Sequence, residues 1–223
     1  MKKTELRPLD RRHDILLPSA LSSHNILVRR VQQWVKGKKV ILFKIDRLPP
    51  HVPITSPLLE LIFGDPTQYT GPSFILEERT EWVEVGKQPA ARFNCHAYSL
   101  GERVGLTPED WVEGEPTDLS MDTNPMQILL SAYFTPFRTL DVAHAHSLVH
   151  DQGLREGDVI SFTYERPYWG IVHQHSGRVM HVNSENWLTS KFQVGRLIVT
   201  SIKDALEFYP DTRKVRVYRF RGD

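Results

Sequence analysis

Ser176-Gly177-Arg178-Val179-Met180-His181-Val182, then Asn183-Ser184-Glu185-Asn186, then Trp187-Leu188-Thr189-Ser190-Lys191-Phe192, reads as strand, turn and returning strand. Alternation places residues 175, 177, 179 and 181 on one face. Further strand-like runs lie close by: Asp158-Val159-Ile160-Ser161-Phe162, Leu197-Ile198-Val199-Thr200 and residues 215–220. Segments with helical signals precede this region. Helices first and closely spaced strands afterwards predict an α+β fold with an antiparallel sheet, not alternating βαβ units.

Upstream, residues 24–36 carry apolar positions at Leu27, Val28, Val31, Trp34 and Val35, a helical spacing stopped by Gly37. Lys39-Val40-Ile41-Leu42-Phe43-Lys44-Ile45 predicts a strand. Ser56-Pro57 predicts a short helix closed by Gly64. Phe74-Ile75-Leu76 and Trp82-Val83-Glu84-Val85 predict strands. Three more helices are predicted: residues 92–105, one opened by Thr107-Pro108, and one from Asn124-Pro125 through Phe134. Arg213, Lys214, Arg216, Arg219 and Arg221 alternate with Val215, Val217, Tyr218 and Phe220, which predicts a charge-protected edge strand.

The chain has 223 residues, 40% hydrophobic and 25% charged, enough to bury a core and typical of a globular domain. No apolar run approaches the roughly 18 residues of a membrane span. Met1-Lys2-Lys3-Thr4-Glu5 leads into charges rather than an apolar stretch, so no secretory signal is read. The expected compartment is cytoplasmic, and delivery outside by a route that reads no signal stays open. The single cysteine excludes an intrachain disulfide and a four-thiolate zinc site. Residues 1–50 hold 12 Lys/Arg against 4 Asp/Glu, although the whole chain carries a net charge of only +1. This basic segment is expected to be either a solvated extension or the dock for an anionic partner. No nucleic-acid-binding signature supports the second reading.

The one thiol sits in Phe93-Asn94-Cys95-His96-Ala97-Tyr98. Asn94 is a good N-cap, which makes Cys95 the first helical residue. Unpaired N–H groups and the helix dipole there favour thiolate and, with a cation nearby, bring a thiol from about 8.5 toward roughly 3.5–7.5. The same groups can hold an oxyanion. A buried cysteine that merely packs is the plainer alternative. Six of the ten histidines fall between His144 and His181. A thiol needs an imidazole facing it to move its proton. His175 is the first choice, because Ser176 and Gly177 beside it are small and leave room for a substrate.

A Cys opening a helix (Asn94-Cys95-His96), a later Gly-Asp strand (Glu156-Gly157-Asp158-Val159-Ile160) and a His-led hairpin (His175-Ser176-Gly177-Arg178-Val179) resemble the NlpC-type and CHAP-type papain-like hydrolases over residues 92–200. The resemblance implies a nucleophile helix packed on an antiparallel sheet, Cys95 as nucleophile, His175 as general base, and Gly157-Asp158 as a structural turn. It further implies cleavage of an amide or isopeptide bond in a peptide or protein, peptidoglycan peptides included, through an acyl-enzyme. The chain departs from the pattern in writing Asn-Cys-His where the family often writes Asp-Cys-Ser, and in a long loop at residues 164–174. No match fixes the third polar residue, which would orient the imidazole. Asn183, Asn186 and Ser190 are the candidates.

Two other classes compete. His144-Ala145-His146 and His173-Gln174-His175, with Asp141, His150 and Asp151, suggest zinc chemistry, but the Glu of His-Glu-x-x-His is missing. A catalytically inactive papain-like binding module, with Cys95 buried, is the other. The sequence thus predicts a papain-like hydrolase domain at residues 91–223 behind a basic extension or small subdomain at residues 1–90. No cofactor or metal is expected, and Tyr168 and Trp169, in the loop before His175, are candidates for the lining of a substrate groove.

Overall fold

The computed structural model describes residues 6–8, 28–45, 74–75, 93–117, 124–192 and 196–222. The expected helix at residues 56–64 and strand at 82–85 lie outside them, as does most of the basic segment.

Every strand pairing among the described residues is antiparallel. A four-stranded sheet runs β1 (Leu6–Pro8), β2 (Val28–Val35), β3 (Lys38–Ile45) and β5 (Asp110–Trp111). A seven-stranded sheet contains β4 (Phe74–Ile75), β6 (Phe134–Asp141), β7 (Val159–Arg166), β8 (Gly170–Val182), β9 (Glu185–Lys191), β10 (Leu197–Thr200) and β11 (Lys214–Phe220). Its spatial order is β4-β10-β9-β8-β7-β11-β6. Helices α1 (Cys95–Leu100) and α2 (Pro125–Tyr133) lie between the two sheets. There Val31, Val40 and Leu42 share one core with Ala97, Leu130, Val159 and Val199. Helix α3 (Ile202–Phe208) and a 3₁₀ segment, Val142–His150, cover the opposite face of the larger sheet through Ala145, Leu148, Ile202 and Ala205 against Ile160, Val179 and Leu188. Residues 28–45 therefore pack into the same core as the later chain. No helix among the described residues is long and apolar enough to cross a membrane.

The α+β reading with an antiparallel sheet holds, and four local expectations are corrected. Residues 28–35 form a strand rather than a helix. Val31 and Val35 are buried while Trp34 is 65% exposed. A separation of four residues satisfies helix and strand periodicity alike. The tie is broken by Lys36 and Gly37, whose φ angles of 47° and 79° make the tight turn that joins hairpin strands. Gly37 is thus a hairpin residue, not a helix stop.

Residues 107–111 form a turn into β5. The Asp110 carboxylate accepts hydrogen bonds from the Thr107 backbone N–H (2.7 Å) and hydroxyl (2.9 Å), which closes a turn instead of starting a helix. Nor is β11 an edge. It lies between β7 and β6, and β6 takes the edge position with Pro136 on it, as a strand that can spare one donor.

The expected long loop before His175 is a hairpin, because β7 and β8 extend to Arg166 and from Gly170. Tyr168 stands at its tip, 90% exposed with φ 68°. The β7–β8 register shifts between Phe162 and Thr163: Phe162 faces His175, but Thr163 faces His173. Gln174 is the extra residue. A bulge of this kind reverses which face the following side chains take.

Candidate functional site

Asn94 caps α1 as its sequence predicts. Its side-chain oxygen accepts from the Ala97 N–H at 3.0 Å and from the Val112 N–H at 3.3 Å, and its amide donates to the Val112 carbonyl at 2.6 Å. One residue thus starts the helix and straps it to the segment leading out of β5. Lys191, 1% exposed, donates from Nζ to the Phe93 carbonyl at 2.7 Å and lies 4.5 Å from the centre of the Phe93 ring. Cys95 therefore begins α1 on a fixed base.

Cys95 is 6% exposed and lines a cleft of about 340 Å³ with Asn94, His96, Trp111, Glu113, Tyr164 and Tyr209, among others. Burial pushes its thiol up from 9.0 to about 12, against the backbone N–H groups of Ser176, His96 and Cys95 itself, which favour thiolate. The charge of Glu113 adds to the rise. The expected thiolate is therefore corrected to a protonated thiol. The N–H groups point the right way, but a mostly buried sulfur loses more from missing water than they return.

The bulge at Gln174 decides which imidazole faces α1. Ser176, opposite Ser161 in the ladder, points at α1, where its hydroxyl meets His96 Nδ1 at 2.8 Å and Ser99 Oγ at 2.7 Å. His173 shares that face. Its Nδ1 meets Ser161 Oγ at 2.8 Å, and its Nε2 meets Gln127 Oε1 of α2 at 2.9 Å. His175 takes the other face, stacked on Tyr209 (4.4 Å between centres, 16° between planes) and tilted against Phe192 (4.8 Å) and Phe162 (5.6 Å). It is fully buried, and among the described residues neither ring nitrogen has a hydrogen-bond partner, the Cys95 sulfur included. Burial lowers all three imidazoles: His96 falls to about 4, and His173 and His175 lie well below 6.5. All are neutral at neutral pH.

The candidates for the third residue separate. Asn183 is exposed in the β8–β9 turn with φ 50°. Asn186 donates to the carbonyls of Leu148 (2.7 Å) and Asp151 (2.9 Å) and ties the 3₁₀ segment to β9. Ser190 lies on the face of β9 that Leu188 and Val179 share with His175, and its buried hydroxyl also lacks a partner among the described residues. Gly157 (φ 84°) and Asp158 form a structural turn. Asp158 accepts from the Arg155 N–H at 2.9 Å and pairs with Arg219 at 2.7 Å.

The zinc constellation is not brought together. His144, His146 and His150 are exposed on the 3₁₀ segment, whereas His173 and His175 are buried on opposite faces of β8. Among the described residues no group of three or more His, Cys, Asp or Glu is arranged to hold a metal ion.

The cleft also holds residues that sequence reasoning passed over. Gly114 lies against β8, its carbonyl accepting from the His173 N–H at 2.8 Å, and a Cβ there would come within 1.8 Å of the His173 oxygen. This contact carries Glu113 to the cleft wall. Its Oε1 accepts from the Trp111 indole at 2.5 Å, and burial raises its carboxyl to about 7, with Glu115 adding to the rise. The only sequence signal was the small residue in Glu113-Gly114-Glu115-Pro116. Lys191 was equally silent, a lysine at an inward position of a strand, which burial lowers to about 7.

No known protein family, curated protein or solved structure matches the chain.

Proposed function

We propose that this chain is a thiol-dependent hydrolase of an amide or isopeptide bond, built on a papain-like scaffold, with Cys95 as nucleophile and His175 as base. The supporting observation is a pairing of two anomalies. A thiol on the wall of an open cleft faces the N–H groups of His96 and Ser176, and the residue next to Ser176 is a buried imidazole whose nitrogens both lack a partner among the described residues. Such an imidazole is costly and asks for a reason. Tyr209 belongs to both surroundings, lining the cleft with Cys95 and covering the His175 ring.

In this reading the resting thiol keeps its proton, and attack and proton removal go together. His175 lies on the face of β8 turned from α1, with Tyr209 stacked on its ring and lining the cleft, so this reading requires Tyr209 to turn aside before thiol and imidazole meet. The Cys95 sulfur bonds to the acyl carbon while neutral His175 accepts the thiol proton. That proton passes to the nitrogen as the C–N bond breaks, and the amine leaves. His175 then takes a proton from water, the hydroxide adds to the thioester, and the acid departs with the thiol restored. The N–H groups of His96 and Ser176 are aimed at the charge that develops beside the sulfur.

The test uses a panel of acyl-aminomethylcoumarin peptides, with mass spectrometry of the intact chain to trap the thioester. Turnover is expected with the native chain, none with Cys95→Ala, and a loss of about a hundredfold or more with His175→Phe. Turnover by Cys95→Ala, or equal rates for His175→Phe and the native chain, would overturn the assignment.

One observation favours a second reading, a binding module without catalysis: no hydrogen bond joins Cys95 to an imidazole, and its thiol sits at about 12. In that case no acyl-enzyme forms with any member of the panel, and Cys95→Ala leaves fold and ligand affinity unchanged.

A further inference from the structure

The charges around the cleft are unequal. Among the described residues, Glu113, Glu115 and Asp211 line it against one cation, Arg166. Arg166 is already engaged, 3.4 Å from Glu115 and 5.2 Å from the centre of the Tyr164 ring. Glu113 makes no ion pair among the described residues, and its carboxylate accepts there only from the indole of Trp111. Asp211, exposed at the rim, makes no ion pair among them either. Trp111, Tyr164 and Tyr209 supply aromatic wall, a lining that suits an organic cation.

A carboxylate held in place without a cation, within electrostatic reach of the sulfur, is the polarity of a specificity determinant. We infer that Glu113 selects acyl substrates carrying an ammonium group next to the scissile bond, with Asp211 as a second, outer acceptor. The inference rests on the reading of this cleft as the place where Cys95 meets its substrate, and it deepens that reading by naming the substrate's charge. Burial keeps the Glu113 carboxyl near neutral pH in its titration. An ammonium guest would hold it ionised, and the cleft would then exchange one desolvated charge for a pair.

The test needs no hydrolysis. Cys95 is the only cysteine, so disulfide formation with aminoethyl methanethiosulfonate (cationic) and sulfonatoethyl methanethiosulfonate (anionic) reports this site alone. The thiolate attacks the thiosulfonate sulfur, the S–S bond forms and methanesulfinate leaves. With each rate divided by that of a small neutral thiol, the cationic reagent is expected to win by at least about tenfold at low salt. The preference should shrink as potassium chloride is added. Glu113→Gln, which keeps an oxygen for Trp111, is expected to bring the ratio to about threefold or less, and Asp211→Asn to lower it in part.

A native ratio no different from the free thiol, a preference for the anion, or no change in Glu113→Gln overturns the inference. So does protection of Cys95 by a divalent cation but not by propylammonium. If neither reagent reaches the sulfur, the Trp111 indole N–H resonance decides. It must shift with propylammonium and not with propionate, and a flat titration refutes the idea. A charge preference without any acyl-enzyme would sink the hydrolase and spare Glu113's role. Acyl-enzyme formation indifferent to substrate charge would do the reverse.

Discussion

His175→Phe is expected to make the protein more stable. The imidazole is fully buried among Phe162, Phe192 and Tyr209, with neither nitrogen satisfied. A buried polar group without a partner costs about 1–3 kcal/mol. A phenyl ring keeps the stacking and removes both polar atoms, while its slightly larger volume returns part of the gain. The net expectation is about 1–2 kcal/mol near pH 7.5.

The pH dependence sharpens this. Burial holds the folded imidazole well below its ordinary 6.5. Below 6.5 the unfolded chain takes up a proton that the native chain refuses, so native stability falls as pH falls through that window. The slope is about 1.4 kcal/mol per pH unit until the folded group itself titrates. Phenylalanine carries no such linkage. Its advantage should therefore widen by about 1.4 kcal/mol between about pH 7.5 and about pH 5.5. Urea unfolding of both proteins at the two pH values measures it. A variant less stable at both, or an advantage constant with pH, would mean that the ring nitrogens are satisfied or titrate normally. His175 would then not be a poised base.

Other outcomes follow from the same geometry. Cys95, raised from 9.0 to about 12, should react with iodoacetamide about a thousandfold more slowly in the folded chain than in urea at equal pH. Comparable rates would show a thiol that is not desolvated. Asn94→Ala removes the cap and the 2.6 Å bond to Val112, and is expected to cost about 2 kcal/mol in urea unfolding. A cost below about half of that would show that α1 is held elsewhere. Gly114→Ala drives a methyl to within 1.8 Å of the His173 oxygen and 2.6 Å of His96 Nε2, so the backbone must yield. A loss of about 2–4 kcal/mol is expected, and a neutral effect would refute the close approach that brings Glu113 to the cleft.

Much of the framework was legible in the sequence because local chemistry decided it. Asn94 and Asn124-Pro125 cap the helices they predict, and residues 197–200 form a strand of that extent. The turn at Asn183-Ser184 joins β8 to β9, both residues at positive φ. Residues 134–141 and 202–208 gave no strong periodic signal, and their structure comes from the sheet edge and core they complete.

The site was only half legible. A cap position announces Cys95, but its thiol is governed by how much water reaches it, which depends on residues far away in sequence. The choice of imidazole failed to be readable for a different reason. Strict alternation puts His173 and His175 on the same face, and a single extra residue in the ladder parts them. Glu113 and Lys191 came into view only when β5 and β9 were laid beside α1.

The irregularity at Gln174 also lets one strand furnish two separate compartments. Regular pleating of the same sequence would turn both imidazoles to one side, and either the Ser161–Gln127 slot or the aromatic nest would then be left without its ring. Excising Gln174 itself would make the two histidines adjacent in a regular ladder, still opposite Thr163 and Phe162 and so still on opposite faces. The hairpin from Val159 to Val182 can therefore spare that residue, but it cannot keep the residue and lose the kink.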